Sequence, residues 1–219
     1  MKPQRVIIYG EPKKPVMFAE KNNITPENTV LVIGCSPFIH ECHQFINPLL
    51  KKYTGIACNC ASFYFEGFEY IATNDFYPES NLKKIINWDK NFKEIVEKRD
   101  CHYIFKPNIE EPILEDVVNI QDDLEIHELY GRHTVSLPAI NFSFLKGFEN
   151  AVLIGVDLSA GWNHFYEKPK SVNLRQSTSA RLRLNRMQLG FKLLSEHINI
   201  YNVNPEARTG VPIIGIETL

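Results

Sequence analysis

The densest run of chemically capable side chains is Gly155-Val156-Asp157-Leu158-Ser159-Ala160-Gly161-Trp162-Asn163-His164-Phe165-Tyr166. Asp157 ends an apolar run, and His164 follows it by seven positions, with Tyr166 just beyond. A histidine in such a loop can take a proton from a hydroxyl, a tyrosine can donate to a phosphate oxygen, and Trp162 offers a stacking face. The plainer alternative for His164 is a structural or surface imidazole. A second run, Arg132-His133-Thr134-Val135-Ser136, stands just before a helical stretch. Its arginine fork, two hydroxyls and helix N–H groups suit an anion, and the hydroxyls equally suit an ordinary cap. Asn59 lies between Cys58 and Cys60 at the end of an apolar run. Strand alternation would put the two thiols on one face and the amide on the other, where it can both donate and accept. The alternative is an asparagine that closes a turn with its own backbone.

The turn Gly34-Cys35-Ser36-Pro37 breaks the apolar run Thr29-Val30-Leu31-Val32-Ile33 and leads into a helical stretch. A turn of this kind offers backbone N–H groups and the positive end of a helix dipole to a phosphate. It has one glycine rather than the three of a dinucleotide fingerprint, and it lacks the Lys-Ser/Thr of a P-loop. A tight strand-to-helix turn is the bland reading. Asp75, after a strand-like Phe68–Thr73, is a further acid at a strand end. The cysteine and histidine cluster His40, Cys42, His43, Cys58 and Cys60 lacks zinc-finger spacing, so no metal site is expected. Arg175, Arg181, Arg183 and Arg186 read as a solvated face, because the helix that carries the last three has a strong apolar stripe. Nowhere does the chain contain Asp-x-Asp, the pair with which many glycosyltransferases hold a metal-nucleotide complex.

The elements that must position these residues follow from periodicity. Thr29–Gly34 and Ala151–Asp157 are continuous β-branched and aliphatic runs, as strands buried on both faces require. Thr54–Cys60, Phe68–Thr73, Cys101–Phe105, Leu124–Leu129 and Ile198–Val203 are further strand candidates. Phe38–Tyr53, interrupted by Pro48, Leu82–Arg99 and Thr134–Lys146 are helical in pattern. So is the stripe Ala180, Leu184, Met187, Phe191 and Leu194. Strands alternating with helices predict an α/β, Rossmann-like, mostly parallel sheet covered by helices on both faces. In open sheets of this kind, ligands bind beyond the carboxyl ends of the strands. One nucleotide-binding domain over 1–219 is expected, with 1–28 a peripheral arm. The acidic, aperiodic stretch within 106–130 reads as peripheral or lid-like.

Composition sets outer bounds. The chain has 219 residues, 44% hydrophobic and 23% charged, which argues for a folded core rather than disorder. A net charge of -2 gives no global attraction to nucleic acid or an anionic membrane surface. No apolar run approaches the roughly 20 residues of a membrane span. The five cysteines favour free thiols in a reducing compartment, and the N-terminus lacks a secretory pattern, so a cytoplasmic location is expected.

Three blocks, in order, resemble the superfamily of compact bacterial sialyltransferases, which includes a domain of motility accessory factors and the archaeal pterin diphosphokinase-like proteins. Val30–Pro37 is similar to its first strand and Gly-x-Gly-Pro-Ser turn. Ala57–Glu66 resembles its strand ending in Cys-Asn followed by an aromatic Phe-Tyr-Phe-Glu run, and Gly147–Asp157 its Gly-aromatic, strand, Gly-x-Asp block. Arg132–Ser136 occupies the place of hydroxyl residues at a helix start. The resemblance implies metal-independent transfer of a sugar from a cytidine-nucleotide (CMP-linked) donor to a hydroxyl on a glycan or small molecule. Gly34, Cys35, Ser36, Asn59, Asp75, Arg132, Thr134 and Ser136 would bind the nucleotide, and His164, Tyr166 and Asp157 would carry the chemistry. No cofactor is implied. The diphosphokinase branch would instead imply ATP and magnesium, with Asp75 and Asp157 facing the metal, and a non-catalytic nucleotide binder is a third reading. The chain departs from the family at Cys35, Ser36 and Phe38, where the family has Asn, Gly and Ser. His164 also stands much nearer the Asp block than the catalytic histidine of the sialyltransferases.

Overall fold

The computed structural model describes residues 23–73, 102–105, 117–119, 134–158 and 178–219. Among them, seven strands form one sheet: β1 (Thr29–Ile33), β2 (Thr54–Cys58), β3 (Tyr70–Thr73), β4 (His102–Phe105), β5 (Val117–Asn119), β6 (Asn150–Ile154) and β7 (Asn199–Asn202). Their order is β5-β4-β3-β2-β1-β6-β7, and every neighbouring pair is parallel. The chain enters at β1, steps outward to β5, then returns to lay β6 against the other side of β1. That reversal makes the gap between β1 and β6 the topological switch point.

The apolar runs form strands because both faces of the sheet are covered. Leu31, Ile33, Ala57, Ile71, Val152 and Ile154 face one core. Val30, Val32, Ile56, Cys58, Ala72, Ala151 and Leu153 face the other. Helix α1 (Ile39–Leu50) buries Ile39, Cys42, Ile46 and Leu49 in the first core. Pro48 falls in its last turn, where loss of one N–H does not stop the helix. The short α2 (Ala61–Tyr64) follows β2. Helix α3 (Ser136–Leu145) and helix α4 (Thr178–Leu194) cover the second core, through Leu137, Ile140 and Phe142 and through Phe191 and Leu194. Pro138 sits in the first turn of α3, as expected.

An asparagine network ties the amino ends of the central strands. The Asn150 amide donates to Asn28 Oδ1 at 3.1 Å and to Thr29 Oγ1 at 3.3 Å, and its Oδ1 accepts from Asn199 Nδ2 at 3.2 Å. These buried and half-buried bonds fix the register of β1, β6 and β7 relative to one another.

Two expectations need correction. Val117–Asn119, inside the stretch read as aperiodic, forms β5 at the sheet edge beside β4; a three-residue strand is too short to show alternation. Cys58 and Cys60 do not share a strand face. β2 ends at Cys58, Cys60 begins the turn into α2, and the two thiols lie in opposite cores. The expected helix over Leu82–Arg99, the strand over Leu124–Leu129 and residues 1–22 of the arm lie outside the described residues.

Candidate functional site

At the switch point β1 and β6 approach so closely that only glycine fits. A Cβ on Gly34 would overlap the Gly155 carbonyl oxygen, and one on Gly155 (φ 71°) would lie 2.6 Å from Ile39 Cδ1. The contact is held by Gly34 N–H donating to Ile154 O at 2.7 Å and Ser36 N–H donating to Gly155 O at 2.9 Å. The next N–H groups, of Ile39, His40 and Glu41, donate to the Ser36, Pro37 and Phe38 carbonyls. Most of the amides expected to cradle a phosphate at this turn are therefore already occupied. The turn welds the two strands instead, and its ligand-facing capacity lies in side chains.

Those side chains are unusual. Of the four buried side-chain polar atoms without a hydrogen-bond partner among the described residues, three are Ser36 Oγ, Asn59 Oδ1 and Asp157 Oδ1. They follow β1, β2 and β6, which are adjacent, and they share the carboxyl edge of the sheet. The fourth, Asn141 Nδ2, lies on α3. A buried polar atom without a partner is costly, and in a folded protein it calls for an explanation. Burial raises Asp157 above its ordinary value; the nearby Ser36 and Asn204 side chains pull it back, and Glu41 and Glu206 push it up. The pull from Ser36 does not amount to a well-formed hydrogen bond, since its hydroxyl is without a partner.

Asn59 has left the strand: its φ is 50°, a left-handed conformation in which asparagine is one of the few tolerated residues. Its backbone is tied on both sides, with N–H donating to Ala72 O at 2.9 Å and C=O accepting from Ser62 Oγ at 3.0 Å. The side chain does not close this turn, because Oδ1 has no partner. Cys35 is partly exposed, and its thiol donates to Cys58 O at 3.3 Å. Burial first, then the neighbouring Cys60 and Cys58, hold that thiol well above the ordinary cysteine range, so it is not a ready nucleophile.

Thr134 and Ser136 start α3, which packs across β1 to β4 and leads back to the amino end of β6. Its start therefore faces the carboxyl edge. The two hydroxyls bond each other at 2.7 Å, and Thr134 Oγ1 accepts the Ser136 N–H at 3.3 Å; this is a local turn rather than a cap, since Val135 is the N-cap and no side chain caps the helix. The structure thus brings Gly34, Cys35, Ser36, Asn59 and Asp157 to adjoining strand ends, with Thr134 and Ser136 along the same edge. Asp75, Arg132, His164 and Tyr166 lie outside the described residues.

Sequence reasoning missed one wall of this site. The end of β7 and the segment after it fold over the end of β6: Asn202 Nδ2 donates to Val156 O at 2.7 Å, and Arg208 N–H donates to Asp157 O at 2.7 Å. Gln188 on α4 pins the Arg208 carbonyl at 2.6 Å, and Asn204 Oδ1 accepts the Glu206 N–H at 2.9 Å. The signal available was Asn204-Pro205, a turn-forming pair directly after a strand. No group of three or more metal-ligating side chains occurs among the described residues, and no described helix is long and apolar enough to cross a membrane.

Sheet, crossovers and the ligand-type edge at a switch point define an α/β, Rossmann-like fold. One solved structure with this fold is the MAf glycosyltransferase from Magnetospirillum magneticum, at 14% identity and a TM-score of 0.55, over 93% of this chain and 36% of that one. The chain thus spans about a third of that glycosyltransferase, and the likeness is one of fold. The sialyltransferase CstII from Campylobacter jejuni, solved in complex with a substrate analogue, cytidine-5'-monophosphate, aligns at 16% identity and a TM-score of 0.49. That alignment covers 85% of this chain and 84% of the other. Neither match concerns the pterin diphosphokinase branch of the resemblance. No protein-family model and no curated protein matches the sequence.

Proposed function

We propose that this chain is a metal-independent glycosyltransferase of sialyltransferase-like type, taking a sugar from a cytidine-nucleotide donor to a hydroxyl on a glycan or small molecule. The observation that carries the reading is the set of unpartnered oxygens, Ser36 Oγ, Asn59 Oδ1 and Asp157 Oδ1, at the carboxyl ends of β1, β2 and β6. Two of the three can only accept, so they call for a ligand that brings donors. Ribose hydroxyls and an exocyclic amine supply donors, whereas a phosphate supplies none and would meet the Asp157 carboxylate. The nucleoside half of the donor therefore lies on this edge. The phosphate falls to residues beyond it, for which Arg132 and Tyr166 are the candidates.

In the reaction, the bond between the anomeric carbon and the phosphate oxygen breaks, and the electron pair leaves with the nucleoside monophosphate. The acceptor oxygen bonds the anomeric carbon, and His164 takes the acceptor's proton. Fixed donors on the departing phosphate lower the barrier by stabilising the charge that develops there. The lack of Asp-x-Asp fits transfer without a metal. Thermal unfolding with CMP, CDP, UDP and ATP, each with and without Mg²⁺, tests the proposal. A ligand at about 100 times its Kd adds about 2.7 kcal/mol to a native state that alone binds it. CMP or CDP is expected to raise Tm equally with and without Mg²⁺. No shift at millimolar cytidine nucleotide refutes the reading, and a larger shift with ATP and Mg²⁺ would move it to phosphoryl transfer.

A further inference from the structure

Asn59 combines two features that oppose each other. Its side-chain oxygen is buried without a partner, and its backbone holds a left-handed conformation. A residue keeps such a conformation only where its surroundings over-determine it. The bonds to Ala72 and Ser62 tie the turn to β3 and α2, within its own side of the sheet. What ties it across to β1 is the Cys35 thiol. Its S–H donates to the carbonyl of Cys58, the residue before Asn59, at 3.3 Å. One side chain from the β1 turn therefore holds the peptide that joins Cys58 to Asn59.

We propose that Cys35 is a positioning residue that holds the Asn59 amide in its ligand-facing geometry. The thiol suits the task because it is small and can donate to the Cys58 carbonyl. The role rests on the nucleotide reading for its purpose, but the mechanical part stands on the ligand-free protein. It also differs from direct donor contact, which the resemblance implies for the asparagine that stands at this position in the related enzymes.

The test uses the full chain with Cys35→Ala, Cys35→Ser and Asn59→Gly, the last of which keeps the left-handed backbone and removes the amide. Amide hydrogen exchange without ligand reads the first half. Cys35→Ala is expected to speed exchange at the Asn59 backbone amide, which shares its peptide with the Cys58 carbonyl, about tenfold while the amides of β6 stay protected. Calorimetric titration with CMP reads the second. Cys35→Ala is expected to weaken binding by about five- to tenfold, the equivalent of one neutral hydrogen bond. Cys35→Ser, which restores a donor, is expected to recover most of that loss. In the Asn59→Gly background, Cys35→Ala is expected to add almost nothing, since the amide through which it acts is gone. Unchanged exchange and affinity in Cys35→Ala overturn the proposal. So does a serine variant as weak as the alanine, or losses that multiply in the double variant. If the unaltered chain binds no CMP, the nucleotide reading fails, while the exchange rates still decide whether Cys35 fixes the turn.

Discussion

Gly34→Ala places one methyl group at the closest approach in the sheet. Its Cβ would overlap the Gly155 carbonyl oxygen and lie 2.8 Å from Val156 Cγ2 and 2.9 Å from the Gly155 carbonyl carbon. Two of these atoms are backbone, so no side-chain rotation relieves the clash; β1 and β6 must part. Overpacking of this kind costs about 1–3 kcal/mol. Separation also stretches the bonds from Gly34 N–H to Ile154 O and from Ser36 N–H to Gly155 O, each worth about 1 kcal/mol. The expected total is about 3–5 kcal/mol, and at about 2–4 °C per kcal/mol for a chain of this size Tm should fall by about 10 °C. Gly147→Ala is the matched control: Gly147 has φ 86° but open space around it. Only the left-handed penalty of about 1–2 kcal/mol applies there. Urea unfolding and calorimetry of both variants, with a check that the denaturant slope is unchanged, measure the difference. If Gly34→Ala loses no more than Gly147→Ala, the close approach does not govern the switch point.

Two further outcomes follow from the site and its foundations. Burial lifts Asp157 above its ordinary value, so the folded state favours the protonated acid. Its stability contribution is complete below the unfolded pKa and is lost as pH rises through the folded one. Asp157→Asn, which mimics the neutral acid, should match the parent in acid, exceed it by about 0.5–2 kcal/mol at neutral pH, and bind CMP more weakly. Equal stability of the two proteins across the pH range would remove the argument for a strained acid. Asn150→Ala removes bonds at the opposite edge of the sheet. It should cost about 2–3 kcal/mol, read from denaturant midpoints, and leave the CMP dissociation constant unchanged; a loss of affinity would mean that the two edges are coupled.

Much of the fold was legible because each central strand carries its own record of burial on both faces. Val30–Ile33 and Ala151–Ile154 are apolar without interruption, and only a strand covered on two sides requires that. α4 was legible from its 3.6-residue stripe, α1 from a helical pattern interrupted by Pro48, and Gly34 and Asp157 from their place at the ends of such strands. β5 was not, since three residues carry no period.

The sequence by itself determined which residues end the strands, and so which side chains the carboxyl edge could offer: Gly34, Cys35, Ser36, Asn59 and Asp157. Tertiary structure decided what each of them does. It paired β1 with β6, which consumed the Gly34 and Ser36 amides that a phosphate would have used. It turned Asn59 out of the strand, buried its oxygen at the same sheet edge as those of Ser36 and Asp157, and brought the segment after β7 over that edge. The physical reason is that strand ends are specified locally, by where an apolar run stops. Hydrogen-bond satisfaction depends instead on partners from distant segments, and no spacing within one strand records which of them arrive.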